Sequence, residues 1–154
     1  MARLHLRIGI AVALGALGLS REARATLGGD AGSIATNQQR LAATRAVKPL
    51  PHGEYHELRL PSGPVVREYV SASGTVYAVS WHGHGMPNLQ ELLGAYFAQL
   101  STGRRRGGHH HMALGGSDFV VQSSSHGRLF SGRAWVPSLV PAGVDPETSV
   151  EYGQ

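Results

Sequence analysis

Residues 55–83 read YHELRLPSGPVVREYVSASGTVYAVSWHG, and this stretch decides the fold. Three runs, YHELRL, VVREYV and TVYAVSW, are rich in β-branched and aromatic residues, which fit a pleated surface. Pro61-Ser62-Gly63-Pro64 and Ser71-Ala72-Ser73-Gly74 separate them, and both are tight-turn compositions. The pattern predicts a three-stranded antiparallel meander. Val66, Val70, Tyr77, Val79 and Trp81 share one face if the second turn pairs Val70 with Thr75. A slip of one residue exchanges the faces.

Downstream, Asn88 is a capping residue with Glu91 three positions later, so a helix is predicted to about Leu100. Leu89, Leu92, Leu93, Tyr96, Phe97 and Leu100 form one apolar stripe along it. Gly94 lies beside the stripe and is expected to let the helix sit close to a strand. Residues 101–116, STGRRRGGHHHMALGG, have the composition of a flexible loop. Asp118–Gln122 and Arg128–Val136 read as a second strand pair joined by Ser123-Ser124-Ser125-His126-Gly127. Pro137, Pro141 and Pro146 then mark an irregular tail. The expectation is an α+β domain in the order β-β-β-α-β-β, in which an antiparallel sheet packs against a single amphipathic helix.

Upstream, residues 26–52 carry weak signals. Ser33–Thr44 is a candidate short helix with Ser33 as its cap, and Pro49 and Pro51 end any helix before the first strand. Residues 1–25 have the three parts of a secretory signal peptide. Arg3 and Arg7 open it, the uncharged run IGIAVALGALGL follows over 8–19, and Ala23-Arg24-Ala25 supplies the cleavage pattern. A cut after Ala25 is expected, with export to the periplasm or the exterior. The domain is then 53–140 with its loop at 101–116, followed by a tail at 141–154. No cysteine is present, so packing alone must hold the core. Of 14 basic and 10 acidic residues, four arginines and Glu22 belong to the leader, which leaves a net charge of +1. That balance gives no support to nucleic-acid binding.

The segments YHELRLPSGPVVREYVSASGTVYAVSWHG, MPNLQELLGAYF and DFVVQSSSHGRLFSGRAWVPSLVP resemble a family of exported bacterial proteins known as domain of unknown function 2844. The REYVS…VYAVSW block is the most specific part. The resemblance implies export and a single small domain. It implies no reaction, cofactor or catalytic residue, and it does not extend to the RRRGGHHH segment.

Histidine is the residue type that stands out. His82 and His84, and His109 and His111, are pairs at i and i+2, a spacing that aims two imidazoles the same way from an extended chain. Such pairs suit zinc, copper or nickel. Glycines flank both pairs, and neither an acid nor a cysteine lies close in sequence to complete a ligand set. A solvated loop is the plainer reading, with no cofactor. Arg104-Arg105-Arg106 reads as a solvated surface run rather than a phosphate grip. Ser123–His126 reads as a turn, and no nucleophile–base–orienter set is visible. Glu57, Arg59, Arg67 and Glu68 read as cross-strand ion pairs on a wet face. The expected function is a small non-enzymatic binding or accessory module with an envelope partner. A histidine-based metal binder is the alternative.

Overall fold

The computed structural model describes residues 27–102 and 111–152. The proposed leader and Thr26, Arg104–Arg106, His109 and His110 lie outside them. A seven-stranded antiparallel sheet dominates, formed by β1 (Thr44–Leu50), β2 (Gly53–Arg59), β3 (Val65–Ser71), β4 (Val76–His84), β5 (His111–Gly115), β6 (Val120–His126) and β7 (Leu129–Trp135). Its order is β1-β2-β3-β4-β7-β6-β5. Two meanders therefore meet where the last strand pairs with the fourth. The helices are α1 (Gly32–Arg40), α2 (Leu89–Leu93), α3 (Phe97–Thr102) and α4 (Pro146–Ser149).

The predicted strand runs are present, but Ser123–His126, expected as a turn, continues β6 in register with β7, and the sheet has two strands more than expected. Thr44–Leu50 pairs with β2 although its side chains are mostly exposed. An edge strand can be polar on both faces, so hydrophobic alternation does not announce it. Lys48 and Pro49 on it are residues that blunt a free edge. His111–Gly115 is strand rather than loop, because it pairs with β6 and inserts Leu114 into the core. The short α1 starts before Ser33 and stops at Arg40. The Ser33 N–H is held by the Asp30 carboxylate at 3.1 Å, so Asp30 takes the capping role expected of Ser33. Ala42 at φ 49° ends the turn.

The single helix expected over 88–100 is two. Asn88 does cap it, accepting the N–H groups of Gln90 and Glu91. Gly94, however, takes φ 53° and ψ −124°, far from helical values. The chain passes through a 3-10 turn at Gly94–Tyr96 before α3. Leu92, Leu93 and Leu100 stay buried, whereas Phe97 is turned outward and is 36% exposed. Glycine, with no Cβ, allows this break at little steric cost.

One face of the sheet packs against α1, α2 and α3 over a core of Leu58, Val66, Val70, Val76, Val79, Trp81, Val121 and Ala134. Tyr77 is not among them. Val70 pairs with Val76 and Tyr69 with Ala78, so a β-bulge leaves Tyr77 as the extra residue and delivers it to the opposite face. There it joins Tyr69, Ala78, Trp135 and Val150. The C-terminal tail covers that second face. Arg133 donates to the carbonyls of Glu147 and Val150, and the Tyr69 hydroxyl accepts the Glu151 N–H at 3.1 Å.

Candidate functional site

On the sheet face of Tyr69 and Trp135, β4 carries His82 and His84 and β6 carries His126. His82 is in register with Ser131, Ser131 with Ser124, and Ser124 with His111. Three strand spacings of about 4.8 Å separate the backbones of His82 and His111. His84 is in register with Leu129, which is in turn opposite His126. Among the described residues no three His, Cys, Asp or Glu side chains are arranged to hold a metal ion. Burial first, and then the charge of Arg67, holds the His82 imidazole below its usual pKa. Glu57 opposes this and Arg59 adds to it.

Beside His82, Glu57 is almost fully buried. It accepts from Arg59 at 2.6 Å and from Arg67 at 2.9 Å, and Arg67 also pairs with Glu151 of the tail. Burial pushes the Glu57 carboxyl up, but the Arg67 hydrogen bond and both arginine charges outweigh it and leave the group more acidic than usual. The expected Glu57–Arg67 pairing is present. The expected wet face is not, because the tail lies over it.

Glu68 corrects the sequence reading most sharply. It is not on that face at all. Strand alternation places it between Val66 and Val70, opposite His56 and Val79, in the core beneath the helices. It is 1% exposed, and neither carboxylate oxygen has a hydrogen-bond partner. Burial pushes its pKa up to about 8, against a smaller opposing pull from Arg45. The group is therefore protonated at neutral pH.

Two more buried polar atoms without partners lie close by, Arg45 Nε and His56 Nδ1. His56 is fully buried and joins its Nε2 to Glu54 Oε1 at 2.7 Å. His56 and Glu68 face each other on adjacent strands, where side chains lie about 5 Å apart at Cβ. Native interiors satisfy nearly all buried polar atoms, so each of these exceptions calls for a partner, either an ordered water or a bound group.

A narrow crevice reaches Glu68 from outside. Asn37 and Leu41 of α1 and its following turn form one wall, and Pro87, Asn88, Glu91 and Leu92 form the other. Leu58, Leu60, Val66 and Glu68 form the floor. Its enclosed part is about 20 Å³, room for a single water-sized group. A largely apolar crevice with a few polar groups, among them a buried carboxyl with a strongly shifted pKa, is the usual make-up of a small-ligand site. Sequence reasoning missed this site because Glu68 sits in a run, VVREYV, whose two charged residues look equally solvent-facing. Alternation from Val66 would have separated them, since Arg67 and Glu68 must point to opposite faces.

A family model described as protein of unknown function (DUF2844) matches residues 23–148. The chain belongs to the DUF2844 family. The match spans both meanders, the helices between them and the Glu68 crevice. Neither a curated protein nor a solved structure matches the chain. Among the described residues of this DUF2844 chain, no helix is long and apolar enough to cross a membrane.

Proposed function

We propose that this protein is a small, exported, non-enzymatic binding module of the bacterial envelope, and that its ligand enters the crevice above Glu68. The buried, unpartnered Glu68 carboxyl at the foot of a largely apolar crevice supports the reading. Binding asks only for complementarity of shape and polarity, which these residues supply. Export rests on the leader pattern in residues 1–25.

Two measurements test the two halves separately. Cell fractionation with N-terminal sequencing should find the protein in the envelope, beginning at Thr26. A cytosolic protein beginning at Met1 overturns the export half. For the binding half, a thermal-shift screen of small polar–apolar compounds should find at least one that raises the Tm of the parent and not of Leu60→Trp, whose indole takes up the crevice. A ligand bound only by the folded state must stabilise it. Compounds that shift both proteins equally bind elsewhere and overturn the crevice as the site.

A second reading is a histidine-based zinc or copper protein of the periplasm, with His82, His84, His109 and His111 as its candidate ligands.

A further inference from the structure

Resting on the binding reading above, the geometry points to a ligand class: we propose that the crevice takes a primary amine, with the ammonium against Glu68 and an alkyl stem between Leu41, Leu60 and Pro87. Two carboxyls, Glu68 and Glu91, line the crevice together with the amides of Asn37 and Asn88, and no basic side chain lines it. Glu91 disfavours an anion, and the amide oxygens and the Glu68 carboxyl, once ionised, offer acceptors to a cation.

The amide oxygens are partly engaged, with Asn37 Oδ1 accepting from Arg40 at 2.7 Å and Asn88 Oδ1 accepting two backbone N–H groups. The Glu68 oxygens are not engaged at all. An ammonium group is close to water in size, and the enclosed space holds one such group. Leu41, Leu60 and Pro87 in the lining suit methylenes.

The chemistry couples binding to a proton. Glu68 enters as the neutral acid, since burial keeps its proton on, and the incoming R–NH3+ is charged. Forming the ion pair requires the carboxyl O–H bond to break, and its proton leaves to solvent. Total charge is conserved, and the buried carboxylate acquires the donor that it otherwise lacks. The charged and titratable groups around Glu68 are Arg45 on β1, Glu54 and His56 on β2, Arg40 on α1 and Glu91 on α2. Arg45 and Arg40 oppose a cation, whereas Glu54 and Glu91 favour it. Arg40 is held by Asn37, Glu54 by His56, and neither Arg45 nor Arg40 lines the crevice.

Calorimetric titration of the folded protein at pH 6.5 tests the assignment, with n-butylamine as probe, n-butanol as its uncharged counterpart and N-acetyl-lysine amide as a peptide-borne amine. Running it in two buffers of different ionisation enthalpy reads the proton. Butylamine is expected to bind with release of close to one proton, and more tightly as pH rises toward 8, because less work is needed to remove the Glu68 proton. Glu68→Gln, which mimics the neutral acid and should fold, is expected to lose about tenfold or more in affinity and all of the proton release. Leu60→Trp should lose binding while keeping the pH dependence of folding due to Glu68.

If N-acetyl-lysine amide binds as well as butylamine, the source is a lysine of a partner protein. If butylamine alone binds, the source is a free amine. Equal binding of butanol and butylamine with no proton release overturns the ammonium assignment, yet leaves the crevice standing as a site. Butylamine binding that survives unchanged in Glu68→Gln overturns it too, as does the absence of butylamine binding to the parent.

Discussion

Glu68→Gln is the substitution whose consequence follows most directly from the structure. In the unfolded chain this carboxyl ionises near 4.5, and in the folded chain near 8. Between those values the folded state holds a proton that the unfolded state has lost, so stability must fall as pH rises across that window. Each pKa unit is worth about 1.4 kcal/mol, so this residue alone should lower stability by about 3 kcal/mol between pH 4.5 and pH 7. Roughly another 1 kcal/mol should go by pH 8. No discount for solvent screening applies to a side chain that is 1% exposed. Glutamine keeps the shape of the protonated acid and cannot ionise, so the variant should lack this slope. Glu57 is shifted the other way by its two arginines and adds stability as pH rises from the acid side, but it does so in both proteins and cancels in the difference. The assay is urea unfolding of parent and variant at half-unit intervals from pH 4.5 to 8.5. The quantity of interest is the difference in stability as a function of pH, not either value alone, because a buried amide has unmet needs of its own. Parallel pH profiles for parent and variant would refute the reasoning, and with it the claim that Glu68 is neutral at pH 7.

Gly132→Ala should destabilise by about 1–3 kcal/mol in denaturant titration, because its Cβ would come 2.5 Å from Trp81 Cε2 and 2.8 Å from the Gln122 carbonyl oxygen. Leu93→Ala should cost about 2–5 kcal/mol, the range for truncating a buried large side chain, whereas Phe97→Ala, at a residue already turned outward, should cost under about 1 kcal/mol. Equal losses at the two sites would mean that the break at Gly94 does not exist in solution. Glu57→Gln should lower stability by roughly 1–3 kcal/mol at pH 7 and less at pH 4, since it removes the charge that Arg59 and Arg67 hold. Replacing His82, His84, His109 and His111 together with serine should abolish any rise in Tm produced by zinc or copper, and identical melting of parent and variant with and without metal would remove the metal-binding reading.

Much of the sheet was legible because its strands carry strong local signals. β2, β3 and β4 are rich in branched and aromatic residues, and the Gly-containing turns between them leave little choice of partner. The helix cap at Asn88 was legible for the same local reason. What escaped was non-local. Tyr77 follows the period of Val79 and Trp81, and only the pairing of Val70 with Val76 creates the bulge that moves it to the other face. Gly94 looks tolerable within a helix by propensity, and its φ of 53° emerges only when Leu93 and Leu100 must both reach the same core. β5 is a strand because β6 offers it an edge. As for the site, the histidine pairs drew the eye by composition, whereas Glu68 gave no compositional signal. Its significance comes from which face it occupies and from helices that cover it from elsewhere in the chain.

The strand order has a consequence for how the chain is made. β7, the last strand to be synthesised, lies in the middle of the sheet, between β4 and β6. Until Trp135 has emerged, the β1–β4 meander keeps a long unpaired edge along β4, which carries Ala78, Val79 and Trp81. Such an edge is the kind that recruits other chains during folding. The sheet also depends on contacts far apart in sequence, which slows its closure relative to a purely local meander. During synthesis, the vulnerable interval runs from the appearance of β4 to the delivery of β7. A holding chaperone that covers β4 during that interval would act on this protein more strongly than on one whose terminal strands are its sheet edges.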